Sequence, residues 1–242
     1  NYWSGTETYE SLMTYIAMDF DGLRQLIVDM LGNQRCSIDV ESFQNDITSF
    51  KSADDVITLL IHMGYLAYDS KTKKVFIPND EVRSVFLRAI RNDGWEEVIK
   101  AVDASEALLK ATLEMNEKAV AQMIQEVHMQ SSSSLIYNNE ISLSSVIALA
   151  YYSACRDYTL VRELPTGNGF ADMVFLPKRT SLNPALIVEL KWDKTAEGAI
   201  SQIKSKGYVS VLKEYKGNIL LVGINYEKKS RKHQCRIEKF EM

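Results

Sequence analysis

Two carboxylates and one ammonium group in a short stretch are the residues whose types and spacing could do chemistry. Asp172 follows a glycine-containing turn, and Glu189 and Lys191 end an apolar run with one leucine between them. The runs at 169–176 and 185–190 predict two strands, and turn-forming residues between them predict a β-hairpin. Because side chains alternate along a strand, Glu189 and Lys191 share one face.

If Asp172 lies on that same face, three charges meet in a small space. Such a group is unfavourable unless a divalent cation lies between the acids, and Mg²⁺ prefers few carboxylates plus water. A simpler alternative is an exposed Asp172 and a solvated Glu189/Lys191 pair on an ordinary strand. Apolar residues flank these positions. They favour the first interpretation, because uncompensated charge in buried strands is costly.

The elements that must position these residues form a regular series. Apolar spacing and turn residues predict a helix, three strands, a helix and two strands at 140–155, 158–164, 169–176, 185–190, 195–213, 218–224 and 233–240. This order predicts an α/β core with a mixed sheet.

The first part of the chain has a different pattern. Helical spacing, short β-like runs and capping residues predict helices at 9–18, 20–31, 53–63 and 81–90, a β-like piece at 36–40 and a hairpin at 65–79. Helix, hairpin, helix resembles a winged-helix arrangement. The region is acidic and its expected recognition helix has no basic stripe, so we favour a structural or partner-docking role over DNA binding.

Two domains are predicted, 1–92 and 93–242. The stretch 93–129 is helical in pattern, and the serine tract at 131–134 is interpreted as a loop inside the second domain, whose core is 134–242. The boundary is placed near Asn92.

Composition indicates a soluble globular protein. The chain has 242 residues, of which 46% are hydrophobic and 25% are charged, enough for real cores and unlike a disordered chain. Cys36, Cys155 and Cys235 form no CxxC motif, which argues against a disulfide framework or a zinc knuckle. No apolar run approaches a bilayer span, so we expect a cytoplasmic protein without a membrane partner. The first residue is Asn, and we expect a piece of a longer product.

Charge is unevenly distributed along the chain. From Lys178 to Met242 there are 14 Lys/Arg and 7 Asp/Glu; the totals of 28 and 32 leave 14 and 25 for the rest. A basic last quarter suits a phosphate-binding surface, although a solvated basic face is the equal alternative.

Four motifs follow one another in the second half of the chain: Glu140, GFAD with Asp172, IVELK with Glu189 and Lys191, and AISQIKSKGY with Gln202 and Tyr208. Together they resemble the PD-(D/E)XK nuclease superfamily, in the branch found at the carboxyl end of AAA-ATPase-like bacterial proteins. The resemblance covers Ser134 to Met242 and, more weakly, the preceding part. Ala171 replaces the proline of the superfamily's name, a substitution that the superfamily tolerates.

The resemblance implies a fold and a site. The fold is a restriction-endonuclease-like mixed-sheet core of order αβββαβ, preceded by the mainly helical, winged-helix-like domain. Asp172, Glu189 and the backbone carbonyl of Leu190 would hold Mg²⁺ or Mn²⁺. Lys191 would orient a water molecule and stabilise the transition state.

Two further site residues follow from the resemblance with alternatives open. Glu140 would reach the metal directly or through water, or would only complement its helix dipole. Gln202 would support the site or touch phosphate, or would be a surface amide. Glu163, Asp193 and His233 are weaker candidates.

The expected function is a metal-dependent nuclease acting on nucleic acid, with DNA as the expected substrate. No GxxxxGK[ST] motif is present, so the N-terminal ATPase domain that the resemblance implies would lie outside this chain. The alternatives are a catalytically silent nuclease-fold module that binds nucleic acid or protein, and a transcription regulator that uses the first domain.

Overall fold

The computed structural model divides the chain into two compact units, Asn1–Ile99 and Lys100–Met242. It describes residues 7–18, 20–41, 43, 50–91, 95–131, 140–165, 169–179, 181–208, 212 and 218–240. The domain boundary predicted at Asn92 and most of the serine tract lie outside these residues. The assignment of two domains at 1–92 and 93–242 stays a prediction.

The first unit is mainly helical and contains a small sheet. Its elements are α1 (Glu7–Ile16), α2 (Leu23–Leu31), β1 (Cys36–Ser37), α3 (Ala53–His62), β2 (Ala67–Asp69), β3 (Lys74–Phe76) and α4 (Asp80–Arg91). The three strands pair antiparallel in the order β1-β3-β2. The predicted hairpin is present, while the β-like piece expected at 36–40 is confined to β1.

Helix α3 begins where the sequence predicted. Ser52 caps it, and Asp55 completes a reciprocal capping box with the Ser52 backbone N–H. Its first turn carries Asp54 and Asp55, and its basic residue in the last turn is His62. The helix therefore shows no basic stripe, and the winged-helix resemblance stays an expectation.

The second unit has the predicted mixed α/β architecture. The division at residue 99 falls within α5 (Glu96–Leu113). The helices that follow are α6 (Glu117–Ser131), α7 (Glu140–Ala150), a 3-10 helix (Tyr152–Arg156) and α8 (Ala196–Ser205). The strands are β4 (Tyr158–Pro165), β5 (Phe170–Pro177), β6 (Ala185–Trp192), β7 (Ile219–Glu227) and β8 (Lys232–Phe240). Among the described residues the strands form one sheet in the order β4-β5-β6-β7-β8. The β6–β7 pair is parallel and the other pairs are antiparallel, consistent with a restriction-endonuclease-like core.

Helix ends in this unit differ from the prediction. The helical stretch expected from 93 to 129 is interrupted at Met115, where φ is 56°, and Asn116 caps α6 by accepting the Ala119 N–H. The helix expected to reach Cys155 ends at Ala150. Beyond it the Ser153 N–H donates to the Ser105 hydroxyl, which replaces an α-helical bond. Helix α8 ends at Ser205, earlier than the expected Lys213.

Helices cover both faces of the sheet. Ile200 and Ile203 of α8 share a buried cluster with strand residues that include Val174, Ile187 and Leu221. Side chains alternate along β5, so Phe175 points to the other face. There its ring lies 5.3 Å from that of Tyr151, which directly follows α7. Within the described part of the chain, no helix is long and apolar enough to cross a membrane.

Candidate active site

The predicted acids lie on neighbouring antiparallel strands. Register pairs Met173 with Val188, and one step further along the ladder Asp172 lies opposite Glu189. Residues opposite each other in such a pair have Cβ atoms about 5 Å apart on the same face. At this point the Leu190 N–H donates to Asp172 Oδ2 at 2.7 Å. The structure therefore brings Asp172 to the face that carries Glu189.

Glu189 is the most deeply buried charge of the site, with 1% of its surface exposed. Its Oε1 accepts hydrogen bonds from Lys191 Nζ at 2.7 Å and from Gln202 Nε2. Its Oε2 is buried and has no hydrogen-bond partner. A buried carboxylate oxygen without a partner is expensive, which indicates a ligand position.

The electrostatics of the site favour a bound cation. Burial and, to a smaller extent, the negative charge of Asp172 together raise the pKa of Glu189 to about 7, while Lys191 opposes the shift. A cation between the two acids would favour their ionised forms. Lys191 is itself buried, with 7% exposed, so its charge is held close to Glu189.

Gln202 reaches the site because α8 folds back over β6 and β7. Thr195 caps the helix by accepting the Gly198 N–H at 3.0 Å. Gln202 lies on the second turn, where Nε2 contacts Glu189 and lies 3.2 Å from the Tyr208 hydroxyl. Gln202 therefore contacts both Glu189 and Tyr208, and its role in the site stays a prediction.

Two residues of β7 that the sequence analysis did not single out complete this face. An added Cβ at Gly223 would lie 2.3 Å from the Ala196 carbonyl oxygen, so glycine permits the close approach of α8. Asn225 is fully buried and lies beside Lys191 in the parallel register. Its Oδ1 accepts the Lys194 N–H, while its Nδ2 has no partner.

The sequence contains a pattern that could have identified both Gly223 and Asn225. Gly223 and Asn225 interrupt the apolar run ILLVGINY at alternate positions, which places them on one face of the strand.

The remaining candidates are Glu140, Glu163, Asp193 and His233. Glu140 begins α7, on the opposite face of the sheet from α8, and its side chain lies outside the described residues. Glu163 is exposed on β4. Asp193 accepts the Lys228 N–H at 2.6 Å and so fixes a turn. His233 pairs with His128 at 3.2 Å between ring nitrogens, on the face covered by α6.

The donor set fits a hard cation of the magnesium type. Among the described residues, no group of three or more His, Cys, Asp or Glu side chains is placed to hold a metal ion. The available ligands are the carboxylates of Asp172 and Glu189 and the Leu190 carbonyl. Since N–H and C=O of one strand residue point the same way, that carbonyl points towards β5, the strand that carries Asp172. Two carboxylates, a carbonyl and water suit Mg²⁺.

Comparison with known proteins agrees with the motifs. Residues 140–235 match the family model described as PD-(D/E)XK nuclease superfamily, so this part of the chain is similar to that superfamily. The matched segment begins at α7 and ends in β8, and it contains every residue of the site described above. No curated protein matches the chain.

Proposed function

We propose that the chain is a metal-dependent nuclease that hydrolyses phosphodiester bonds in DNA. The observation that carries the proposal is the buried, unpartnered Oε2 of Glu189, on the face of the sheet that Glu189 shares with Asp172 and Lys191. The superfamily match supports a nuclease-type fold. Nucleases of this superfamily typically use divalent metals.

Each side chain has a definite task in this reaction. Asp172, Glu189 and the Leu190 carbonyl would hold the cation, which lowers the pKa of bound water and neutralises charge on the scissile phosphate. Lys191 supplies a positive charge to the same phosphate. Its present bond to Glu189 keeps the ammonium at the centre of the site. Gln202 fixes the orientation of the Glu189 carboxylate.

A silent binding module is the rival function. Such a module has no need for a buried glutamate with an unpartnered oxygen, since replacing a buried ion pair with apolar residues is often neutral or stabilising. The site therefore favours catalysis over binding alone. Association with an ATPase domain of the same polypeptide is part of the proposal and rests on the motif resemblance.

Cleavage of labelled DNA by the purified chain tests this function. We expect cleavage with Mg²⁺ or Mn²⁺ but not with chelator, and its loss in Asp172→Ala and Lys191→Ala. Glu106→Gln, which changes an exposed acid that pairs with Arg156, is the matched control and should cleave normally. Cleavage that survives both site substitutions would contradict the proposal.

A further inference from the structure

A basic turn joins β7 to β8. Lys228, Lys229 and Arg231 are all exposed, and Lys232 begins β8. Among the described residues no ion pair involves these side chains, whereas two other exposed basic groups of this unit, Lys204 and Arg236, are paired with Glu238. The turn therefore presents unneutralised positive charge to solvent.

The fold places this turn at the same end of the sheet as the site. Strands β6 and β7 run parallel with Lys191 aligned to Asn225. Lys228 follows three residues later, a distance of about 10 Å along the strand direction. Along a DNA strand this corresponds to roughly three steps of 3.4 Å.

Hydrogen bonds fix the turn to the segment that follows Lys191. The Lys228 N–H donates to Asp193 Oδ1 at 2.6 Å, and the Asp193 N–H donates to the Tyr226 carbonyl at 2.8 Å. On the other side, Gln125 Nε2 donates to the Arg231 carbonyl at 2.8 Å. The backbone of the turn is thus held on both sides, and its basic side chains extend from a fixed position relative to the site.

We infer that this turn binds the sugar-phosphate backbone of duplex DNA beside the scissile bond. The inference rests on the proposed function and adds the surface that positions its substrate. Lysine and arginine contacts to phosphates supply affinity without reading sequence. A partner with regularly spaced phosphates fits the turn because the phosphodiester site lies within a few nucleotides of it.

The chain supplies a matched control in its other basic turn. Lys71, Lys73 and Lys74 follow β2 and open β3, and Lys73 has φ 53° where Arg231 has φ 56°. The triple variants K228Q/K229Q/R231Q and K71Q/K73Q/K74Q each remove three positive charges from a hairpin turn. A third variant, K228R/K229R/R231K, keeps the charge.

The test measures duplex DNA binding by fluorescence anisotropy with the full chain in chelator, over a range of salt concentrations. Three lost phosphate contacts should lower the slope of log K against log salt by about 2–3 units and weaken binding roughly a hundredfold at 0.1 M salt. We expect this for K228Q/K229Q/R231Q, with near-normal binding by the control and by the charge-keeping variant. Thermal unfolding should be unchanged in all three.

Other outcomes separate this inference from the proposed function. Equal binding by the wild type and K228Q/K229Q/R231Q would overturn the inference, as would a loss confined to the control turn or the absence of DNA binding by the wild type. Cleavage measured separately with Mg²⁺ decides the proposed function. If the wild type binds but does not cleave DNA, and substitution of the β7–β8 turn weakens that binding, the inference holds and the proposed nuclease activity is refuted.

Discussion

The five-stranded sheet buries polar side chains on both faces, and the two groups differ in how completely they are hydrogen-bonded. On the α8 face, Glu189 Oε2 and Asn225 Nδ2 have no partner. On the α6 face, His233 contacts His128 at 3.2 Å and Gln125 Oε1 at 2.7 Å. Complete bonding indicates a group that stabilises the fold, and incomplete bonding indicates a group that awaits a ligand.

The buried titratable groups on the two faces of the sheet also differ in their protonation. Burial lowers the pKa of His128 to about 4 and, with the neighbouring His128, that of His233 to about 3. Both imidazoles are therefore neutral near neutral pH. Glu189, with its pKa raised to about 7, is partly charged there. The charged face suits binding of a cation, while the neutral face suits packing.

The largest expected effect is on cleavage. Glu189→Gln keeps the shape of the side chain but removes a cation ligand, and it should lower the cleavage rate roughly a thousandfold, since charge neutralisation at the phosphate contributes several kcal/mol. Chemical denaturation should show little change in stability, because the removal of an unfavourably buried charge offsets the loss of the ion pair with Lys191. If Glu189→Gln lowers stability but retains cleavage, Glu189 stabilises the fold and does not serve the reaction, which would contradict the functional role given to the α8 face.

His233→Ala tests the opposite face. It removes a buried ring together with its hydrogen bond to the buried ring of His128, so the free energy of unfolding should fall by about 2–4 kcal/mol. Cleavage per folded molecule should change little. Gln234→Ala, an exposed neighbour on the same strand, is the control, with an expected change within about 0.5 kcal/mol. Strongly reduced cleavage by folded His233→Ala protein would show that this histidine takes part in the reaction.

The substitution Gly223→Ala tests how closely α8 must approach β7. The added methyl group would clash with the Ala196 carbonyl, and overpacking of this kind lowers stability by about 1–3 kcal/mol. Because α8 carries Gln202, cleavage should fall as well. Denaturation and cleavage measured on one preparation check both effects. An alanine variant with normal values for both would show that the helix position is not constrained.

The pH dependence of stability sharpens the contrast. For both histidines the folded pKa lies below the ordinary 6.5, so their contribution is complete above pH 6.5 and is lost as pH falls, by up to about 1.4 kcal/mol per pH unit for each ring. For Glu189 the folded pKa lies above its ordinary value of 4.5, so its contribution is complete below pH 4.5 and is lost as pH rises towards 7. The free energy of unfolding, measured from pH 4.5 to 7, should therefore rise more steeply with pH in Glu189→Gln than in the wild type.

The sequence predicted the strands of the site and the shared face of Glu189 and Lys191, because alternation is a local property of each strand. Whether Asp172 shares that face depends on the register between β5 and β6, which the structure supplies. It did not predict which face each helix covers, since that depends on packing between distant elements. His233 was therefore kept as a site candidate although it lies on the α6 face. The roles of Gly223 and Asn225 also depend on α8 and β6 lying beside β7.

The central claim is that Asp172 and Glu189 converge to hold a divalent cation. The most direct test is an NMR titration that follows the Glu189 carboxyl carbon with and without Mg²⁺. We predict a pKa of about 7 without metal, a lower value after Mg²⁺ is added and a lower value in Asp172→Asn, where a repelling charge is gone. An ordinary pKa that responds neither to Mg²⁺ nor to the substitution at Asp172 would contradict the account.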